Sequence, residues 1–310
     1  MISSYIENSG KNQASSYMAV ALEQLDKQIQ QPTQKKEGQY QQRVIIKSGD
    51  VTINNLSLDC QFEINFDDDT QANNADITIF NLSAATVNRF KNKASITVTA
   101  GYGTDTGVIF EGYITSKKTY WEGVDKITNI RALDDSKRYN RTVESISYAA
   151  NTKASYILRD LCNKVGLPIA VFKTNRDYTY TDEVTVDGGL ADNIKNYASV
   201  CGVSAYVCKS KIYVRSLNDG DNTKFLLSAN TGLLSVTEFE ETVSSKEYGE
   251  ETVKGFEVEM LLQHRLQTAS IIQLQSKNYN GTFRVKEGSH AYSDGEFKTT
   301  VKLITYGSKK

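Results

Sequence analysis

The feature that most constrains the fold is a two-residue alternation of apolar and polar side chains, which recurs along most of the chain. It is clearest at residues 62–66, 96–100 and 256–262. Successive side chains of a β-strand point to opposite faces of a sheet, so this period indicates strands that bury one face and expose the other. The chain is therefore predicted to be mainly β.

The pattern divides the 310 residues into four segments. Residues 41–150 and 218–310 are predicted to be two β domains of the barrel or sandwich type. Residues 151–217 change to helical spacing. Two helices there end at Gly166 and Gly202, and each is followed by a strand, which predicts a small α+β domain.

Residues 1–40 are predicted to be a helical arm followed by a polar linker. Four apolar side chains lie at helical spacing in one stripe, and the helix is expected to end before Pro32. A single narrow stripe has no core of its own, so it must dock on the chain's own body, on a neighbouring copy or on another protein. The candidate partner-contact residues are Met18, Leu22, Leu25 and Ile29.

Composition excludes several classes of protein. The 36 Lys+Arg balance 37 Asp+Glu, so no overall charge attracts nucleic acid or an anionic membrane. No apolar run approaches the roughly 18 residues of a membrane span, and the first residues lack the order of a secretory signal. The four cysteines have no zinc-site spacing. We predict no cofactor, no metal, no membrane partner, no sequence-specific nucleic acid and no secretion by a signal peptide.

Catalytic chemistry has few candidates. His264 and His290 are the two histidines, and neither has a recognisable nucleophile and orienting group beside it. We predict that His290 is a structural or interface residue, that residues 67–69 form a solvated acidic loop and that Asp134 lies in a strand-end turn. The chain is predicted not to be an enzyme, and a hydrolase using His290 or the paired acids is the weakest hypothesis.

One stretch is strongly acidic. Residues 238–259 contain eight Glu against Lys246 and Lys254. The simplest interpretation is a solvated strand face. The alternative is a negative surface that repels a passing polyanion or binds a basic partner.

Several strings, taken in order, resemble those of a known family. They are ADITIFNL at 75–82, FEGYI at 110–114, IRALD at 130–134, the helix–Gly strings at 154–168 and 190–202, GTFRVKEGSH at 281–290 and GEFKTTV at 295–301. Over residues 40–310 this order resembles the baseplate hub proteins of contractile phage tails and phage-tail-like bacteriocins, the late-control-D-like hub family. Residues 1–40 have no counterpart in that pattern.

The resemblance implies a homotrimer in a phage tail or bacteriocin particle. Each subunit would have two tube-type β-barrels flanking the α+β domain, so three copies would form a pseudo-sixfold adaptor. Its partners would be the tail tube protein, the central spike protein and other baseplate proteins. On this interpretation the candidate lumen or tube-junction residues are Glu238, Glu240, Glu257 and Glu259.

A binding module is the alternative function. The chain has 18 tyrosines and a single tryptophan, Trp121. Aromatic faces stack on sugars, so a tyrosine-rich carbohydrate- or cell-surface-binding β module of a phage tail is the second hypothesis.

Overall fold

The computed structural model describes residues 41–68, 73–134, 141–216, 218–245, 249–293 and 295–306. Residues Gln42–Lys310 form one unit by their internal contacts. The predicted arm at residues 1–40, with Met18, Leu22, Leu25 and Ile29, lies outside the described residues.

The first β segment has seven strands and one helix, which begins and ends close to the predicted positions. Its elements are β1 (Gln42–Ser48), β2 (Val51–Asn54), β3 (Cys60–Phe66), β4 (Asn74–Phe80), α1 (Ala84–Arg89), β5 (Ser95–Tyr102), β6 (Asp105–Glu122) and β7 (Asp125–Leu133).

The middle segment is α+β. Strands β8 and β10 form an antiparallel pair, and β9, β11 and β12 form a small sheet in which β9 runs parallel to β12. Its core reaches upstream of residue 151, because Val143 and Tyr148 pack with the helices. Its elements are β8 (Thr142–Tyr148), α2 (Ala154–Val165), β9 (Ile169–Phe172), β10 (Val184–Gly189), α3 (Leu190–Val200), β11 (Ser204–Cys208) and β12 (Lys211–Arg215).

The last segment returns to strands. A short 3-10 turn, Ala229–Thr231, connects the first two of them. Its strands are β13 (Asp221–Leu227), β14 (Leu233–Ser245), β15 (Gly249–Leu261), β16 (Ser270–Gln275), β17 (Asn280–Ser293) and β18 (Glu296–Thr305).

The first and last segments share one 13-stranded sheet. Its order is β14-β15-β18-β17-β3-β4-β7-β6-β5-β1-β2, with β16 and β13 attached to β17 as a branch. The junction is the antiparallel pairing of β17 with β3. Core residues also cross it, because Phe66 packs in the core of the last segment and Leu262 and Phe297 pack in the core of the first. The chain is thus mainly β, while the division into two barrels with these boundaries stays a prediction.

Helix ends follow local chemistry in one case and tertiary contacts in another. Ser83 caps α1, since its hydroxyl accepts a hydrogen bond from the Thr86 amide at 3.1 Å. Helix α2 has no side-chain hydrogen bond from its N-cap residue, Lys153. The Asp177 carboxylate accepts from the Ser155 amide at 3.0 Å instead.

A buried hydrogen-bond network holds the first β segment against the α+β segment. The Asp134 carboxylate accepts from the Asn73 amide at 2.8 Å and from Asn73 Nδ2 at 2.7 Å. Asn73 Nδ2 also donates to the Val207 carbonyl at 3.0 Å. Asp134 and Asn73 are buried. Asp134 lies in a bend directly after β7, as predicted, and its carboxylate is in addition a buried tertiary contact.

Two buried arginines extend this polar junction into the last segment. Arg284, 1% exposed, donates to Asp68 Oδ2 at 2.9 Å. Arg215 donates to both carboxylate oxygens of Asp221 and to the Tyr206 hydroxyl. The prediction of a solvated loop is therefore wrong for Asp68. Burial raises the pKa of Asp68, while Arg284 acts in the opposite direction.

Removal of the Asp134 carboxylate is expected to destabilise the fold strongly. In Asp134→Ala the buried Asn73 backbone amide loses its acceptor and Asn73 Nδ2 keeps only the Val207 carbonyl, so we expect the free energy of unfolding to fall by about 2–4 kcal/mol. Urea unfolding followed by tryptophan fluorescence or circular dichroism measures it. The exposed Asp182→Ala is the control, with an expected change within about 0.5 kcal/mol. Equal effects of the two substitutions would contradict the assignment.

Candidate functional site: the polar face of the sheet

Eight adjacent strands, from β14 to β6, are crossed by one continuous row of paired residues. We call it the reference row. Seven of its eight members are buried, so the row lies on the core side. The row runs Leu233, Met260, Thr299, His290, Ile64, Ala75, Ala132, Ile114.

The residues that alternate with the core positions form the opposite surface, which we call the polar face. It continues without interruption across the β3–β17 junction, from the last segment into the first. Its members are Thr237, Glu257, Glu259, Lys298, Thr300, Lys302, Glu287, Ser289, Ala291, Gln61, Glu63, Asn65, Asp76, Thr78, Asn129, Arg131, Ser116 and Lys118.

Ion pairs hold most charges of the polar face. Arg131 Nε lies 2.7 Å from Asp76, and Lys302 Nζ lies 2.6 Å from Glu287. Lys298 pairs with Glu259 at 3.3 Å. These hydrogen bonds raise the pKa of Lys302 and of Lys298, so both lysines stay protonated at neutral pH. Exposed pairs add little stability. Their consequence is a hydrophilic surface on which Lys298 and Lys302 are already paired with glutamates.

The four glutamates predicted as lumen or tube-junction residues are divided between two faces. Glu257 and Glu259 belong to the polar face. Glu257 pairs with Thr237, so the next residue of β14, Glu238, points the other way. Glu240 shares that opposite face and pairs with Lys254 at 3.2 Å. The structure thus places two of these glutamates on each face of the sheet, and their functional role stays a prediction.

His290 is enclosed in the core. Its side chain is 1% exposed, its Nδ1 lies 2.8 Å from Thr299 Oγ1, and its ring centroid lies 5.0 Å from that of Phe66. Burial lowers the pKa of His290 to about 3, so the ring is neutral at pH 7. A buried ring bonded to a buried hydroxyl has no access to a substrate, and this arrangement fits the predicted structural role.

The tyrosines of the α+β segment pack mainly on one another. Tyr180 contacts both Tyr178 and Tyr197 edge to face, and Tyr148 contacts Tyr156 in the same way. Of these five rings, Tyr156 is 63% exposed and Tyr178 is 52% exposed. In this group of rings, those of Tyr156 and Tyr178 are therefore accessible for stacking on a sugar.

Two classes of site were searched for within the described ranges. No group of three or more His, Cys, Asp or Glu side chains there is placed to hold a metal ion. Likewise, no helix of the described part has the length and apolar character needed to cross a bilayer.

Comparison with known proteins places these features in a family. The family model described as "Baseplate hub gp41" matches residues 43–287, well over half of the chain. No curated protein sequence matches.

Solved structures of two tail proteins and of a secretion-system component have a similar fold. The 43 kDa tail protein of prophage MuSo2 from Shewanella oneidensis is similar with a TM-score of 0.63 at 8% identity, over 85% of this chain and 97% of that one. A tail protein from Neisseria meningitidis gives a TM-score of 0.63 at 9% identity, over 86% and 98%. A type VI secretion system component from E. coli gives 0.57 at 12% identity, over 85% and 77%. At such identities the likeness establishes the fold.

The depressed pKa of His290 predicts a specific loss of stability in acid. The folded state binds this proton only near pH 3, whereas an unfolded histidine binds it near 6.5. Stability is therefore complete above about pH 6.5 and falls by up to roughly 1.4 kcal/mol per pH unit below it.

His290→Gln lacks the titrating group, and it is the matched variant for this prediction. We expect the difference in unfolding free energy between wild type and variant to shrink as the pH falls from 7 to 4.5. Urea unfolding at several pH values measures it. Parallel pH curves for the two proteins would refute the prediction.

Proposed function

The chain belongs to the baseplate hub gp41 family, and from this premise we propose that three copies form a ring that joins a tail tube to a central spike. The ring would be part of a phage tail or a tail-like bacteriocin particle assembled in the bacterial cytoplasm. Its partners would be a second and third copy of this chain, the tube protein, the spike protein and other baseplate proteins.

The observation that carries this proposal is the polar face, which continues across both β segments. The wall of an aqueous channel must be wettable, and it must not hold what passes through it. Lys298 and Lys302 are neutralised by glutamates on the same face, so they offer little net attraction to a polyanion. We propose that this face lines the channel, with Glu257 and Glu259 in its wall.

The pseudo-sixfold part of the proposal depends on the surfaces that the two β segments expose to the tube. The first segment is ordered β2-β1-β5-β6-β7-β4-β3, and the last is ordered β14-β15-β18-β17-β16-β13. These orders differ. The two proposed barrels would therefore bind the six tube subunits in equivalent ways only if the two segments expose similar surfaces. Each contributes half of the polar face and one long hairpin, β6–β7 or β14–β15.

The remaining site predictions join the proposal as partner contacts. Glu238 and Glu240, on the opposite face of β14, would then contact a neighbouring protein and not the channel. The stripe of Met18, Leu22, Leu25 and Ile29 would dock on an adjoining subunit or baseplate protein. The α+β segment, which has its own core, would lie at the periphery of the ring.

A carbohydrate-binding role is the second candidate, and the exposure of Tyr156 and Tyr178 favours it. Saturable binding on a glycan array that is lost in the double variant Tyr156→Ala, Tyr178→Ala would support this role. Unchanged binding in the double variant would show that these two tyrosines do not bind the glycan.

The hub proposal predicts the mass of the assembly. Three chains of 34.6 kDa give 3 × 34.6, or about 104 kDa. We expect light scattering coupled to size exclusion to give this mass, either for the protein alone or after mixing with the tube and spike proteins of the same particle. A monomer that persists with both partners present would overturn the proposal.

A further inference from the structure

The α+β segment is joined to the large sheet by side chains and not by strand pairing. Among the described strands, β8 to β12 pair only with one another. The segment also has a core of its own, which α2, α3 and the strands around them form. Its described hydrogen bonds and ion pairs with the rest of the chain lie at two places, the β11–β12 hairpin and the chain exit after β12. The segment is therefore a compact body that is held at two points.

The first point of attachment is the end of the β11–β12 hairpin, residues 206–210, which we call the latch. Its hydrogen bonds with described residues are those of the Val207 carbonyl with Asn73 at 3.0 Å, of Ser210 Oγ with the carbonyls of Glu111 and Asp134 at 3.3 and 3.4 Å, and of Cys208 Sγ with Gln267 at 3.8 Å. A hydroxyl bond is normally about 2.7–2.8 Å long, and the single proton of Ser210 serves one carbonyl at a time. One short bond and several weak ones therefore hold the latch.

The apolar part of the latch is small. Tyr206, Cys208 and Ala269 form a cluster of buried residues, with Tyr213 partly buried against it. The free energy of a local opening is set by the apolar contacts and hydrogen bonds that it breaks. Opening the latch exposes this cluster and leaves the cores of the α+β segment and of both β segments intact. It therefore costs far less than unfolding any of these cores.

Closing the latch also removes a lysine from water. Lys209 lies at the tip of the hairpin, where burial lowers its pKa and Glu111 acts in the opposite direction. The lowered pKa means that the closed latch disfavours the charged form of this side chain, which water stabilises in the open latch. Lys209 thus opposes closure at neutral pH.

The second point of attachment holds the segment when the latch opens. Arg215, at the end of β12, is buried and donates to the two carboxylate oxygens of Asp221 at 3.0 and 2.9 Å. Lys173 lies 3.0 Å from Asp219. Asp221 in turn pairs with Ser270 at the edge of the 13-stranded sheet. These contacts join residues on either side of one chain crossing, and we call them the pivot.

We propose that the α+β segment is a hinged module, which turns about the pivot when the latch opens while its own core and the 13-stranded sheet stay folded. Small contacts between compact parts of one chain permit such relative motion. The proposal concerns a single chain and does not depend on the trimer or on its partners. In the proposed ring, the motion would let the periphery adjust to a neighbouring protein without a change in the channel wall.

The four native cysteines report on this opening without any substitution. Cys208 belongs to the latch, Cys60 lies in the core of the first β segment, and Cys162 and Cys201 lie in the α+β core. Burial raises the pKa of the Cys208, Cys60 and Cys162 thiols to about 12 and that of Cys201 to about 11. All four are therefore unreactive while buried, and each reacts when an opening exposes it.

Labelling with a maleimide in native buffer at neutral pH, followed by digestion and mass spectrometry, measures the reaction rate of each cysteine. We expect Cys208 to be labelled at least tenfold faster than Cys60, Cys162 and Cys201. A rate at Cys208 no higher than that at Cys60 overturns the proposal, because only global unfolding then exposes the latch. Equal rates at Cys208, Cys162 and Cys201 also overturn it, because the α+β segment then unfolds and does not turn.

Hydrogen exchange separates a turning module from a melting hairpin. In the proposed motion β11 and β12 stay paired with each other, so the paired amides of Ser204–Cys208 and Lys211–Arg215 stay protected while Cys208 reacts. Exchange of these amides at the rate of Cys208 labelling would show that the hairpin melts, and the hinge would then be refuted.

The double variant Ser210→Ala, Gln267→Ala weakens the latch and leaves every core residue in place. It removes the Ser210 hydroxyl and the acceptor of Cys208, so we expect labelling of Cys208 to become about three- to tenfold faster, with the other cysteines unchanged. The matched control is Ser147→Ala, Thr185→Ala, which removes an exposed hydroxyl pair of the β8–β10 sheet and is expected to change no rate. The same effect of both double variants on Cys208 would contradict the latch.

Discussion

The structure depends above all on the antiparallel pairing of β3 with β17. The pair joins two strand-rich segments that are far apart in sequence, with Ile64 opposite His290. Because side chains alternate strictly on both strands, the pairing aligns the core positions of one segment with those of the other. The polar face therefore continues from one segment to the next. A register slip of one residue on either strand would turn the polar side chains of that segment toward the core.

The buried polar junction explains why this register is unique. Alternating apolar strands alone would tolerate several pairings, since any two-residue slip keeps the faces matched. Arg284 of β17 is hydrogen bonded to Asp68, which follows β3, in one arrangement, and a slip would leave the buried Arg284 without this partner. Burial of the arginine is costly even so, because Arg284 Nη2 has no hydrogen-bond partner among the described residues. The network therefore supports specificity more than stability.

Local patterns in the sequence predicted much of the fold and less of the site. Alternation identified β3, β5 and β15, and Gly166 identified the end of a helix, because these depend on residues within a few positions. The Asp177 contact at the start of α2 joins residues 22 apart. The burial of Asp68 depends on Arg284, which is 216 residues away. The division of the glutamates between two faces depends on the register of β14 against β15. The amino-acid composition carries no information on this register.

The two long hairpins extend in opposite directions from the sheet, so the molecule has two different ends, as the proposed adaptor would need. From the reference row, β6–β7 extends toward one end of the sheet and β14–β15 toward the other, because the terminal strands are antiparallel. The turn of the first hairpin carries Trp121 and Val124, which are 70% and 88% exposed, whereas the described part of the second carries Glu238, Glu240 and Glu241. The turn of the first hairpin thus exposes two large apolar side chains beside Glu122, and the described part of the second hairpin is acidic. The proposed ring would bind unlike neighbours above and below and would need two chemically different ends, and this arrangement of the sheet supplies them within a single chain.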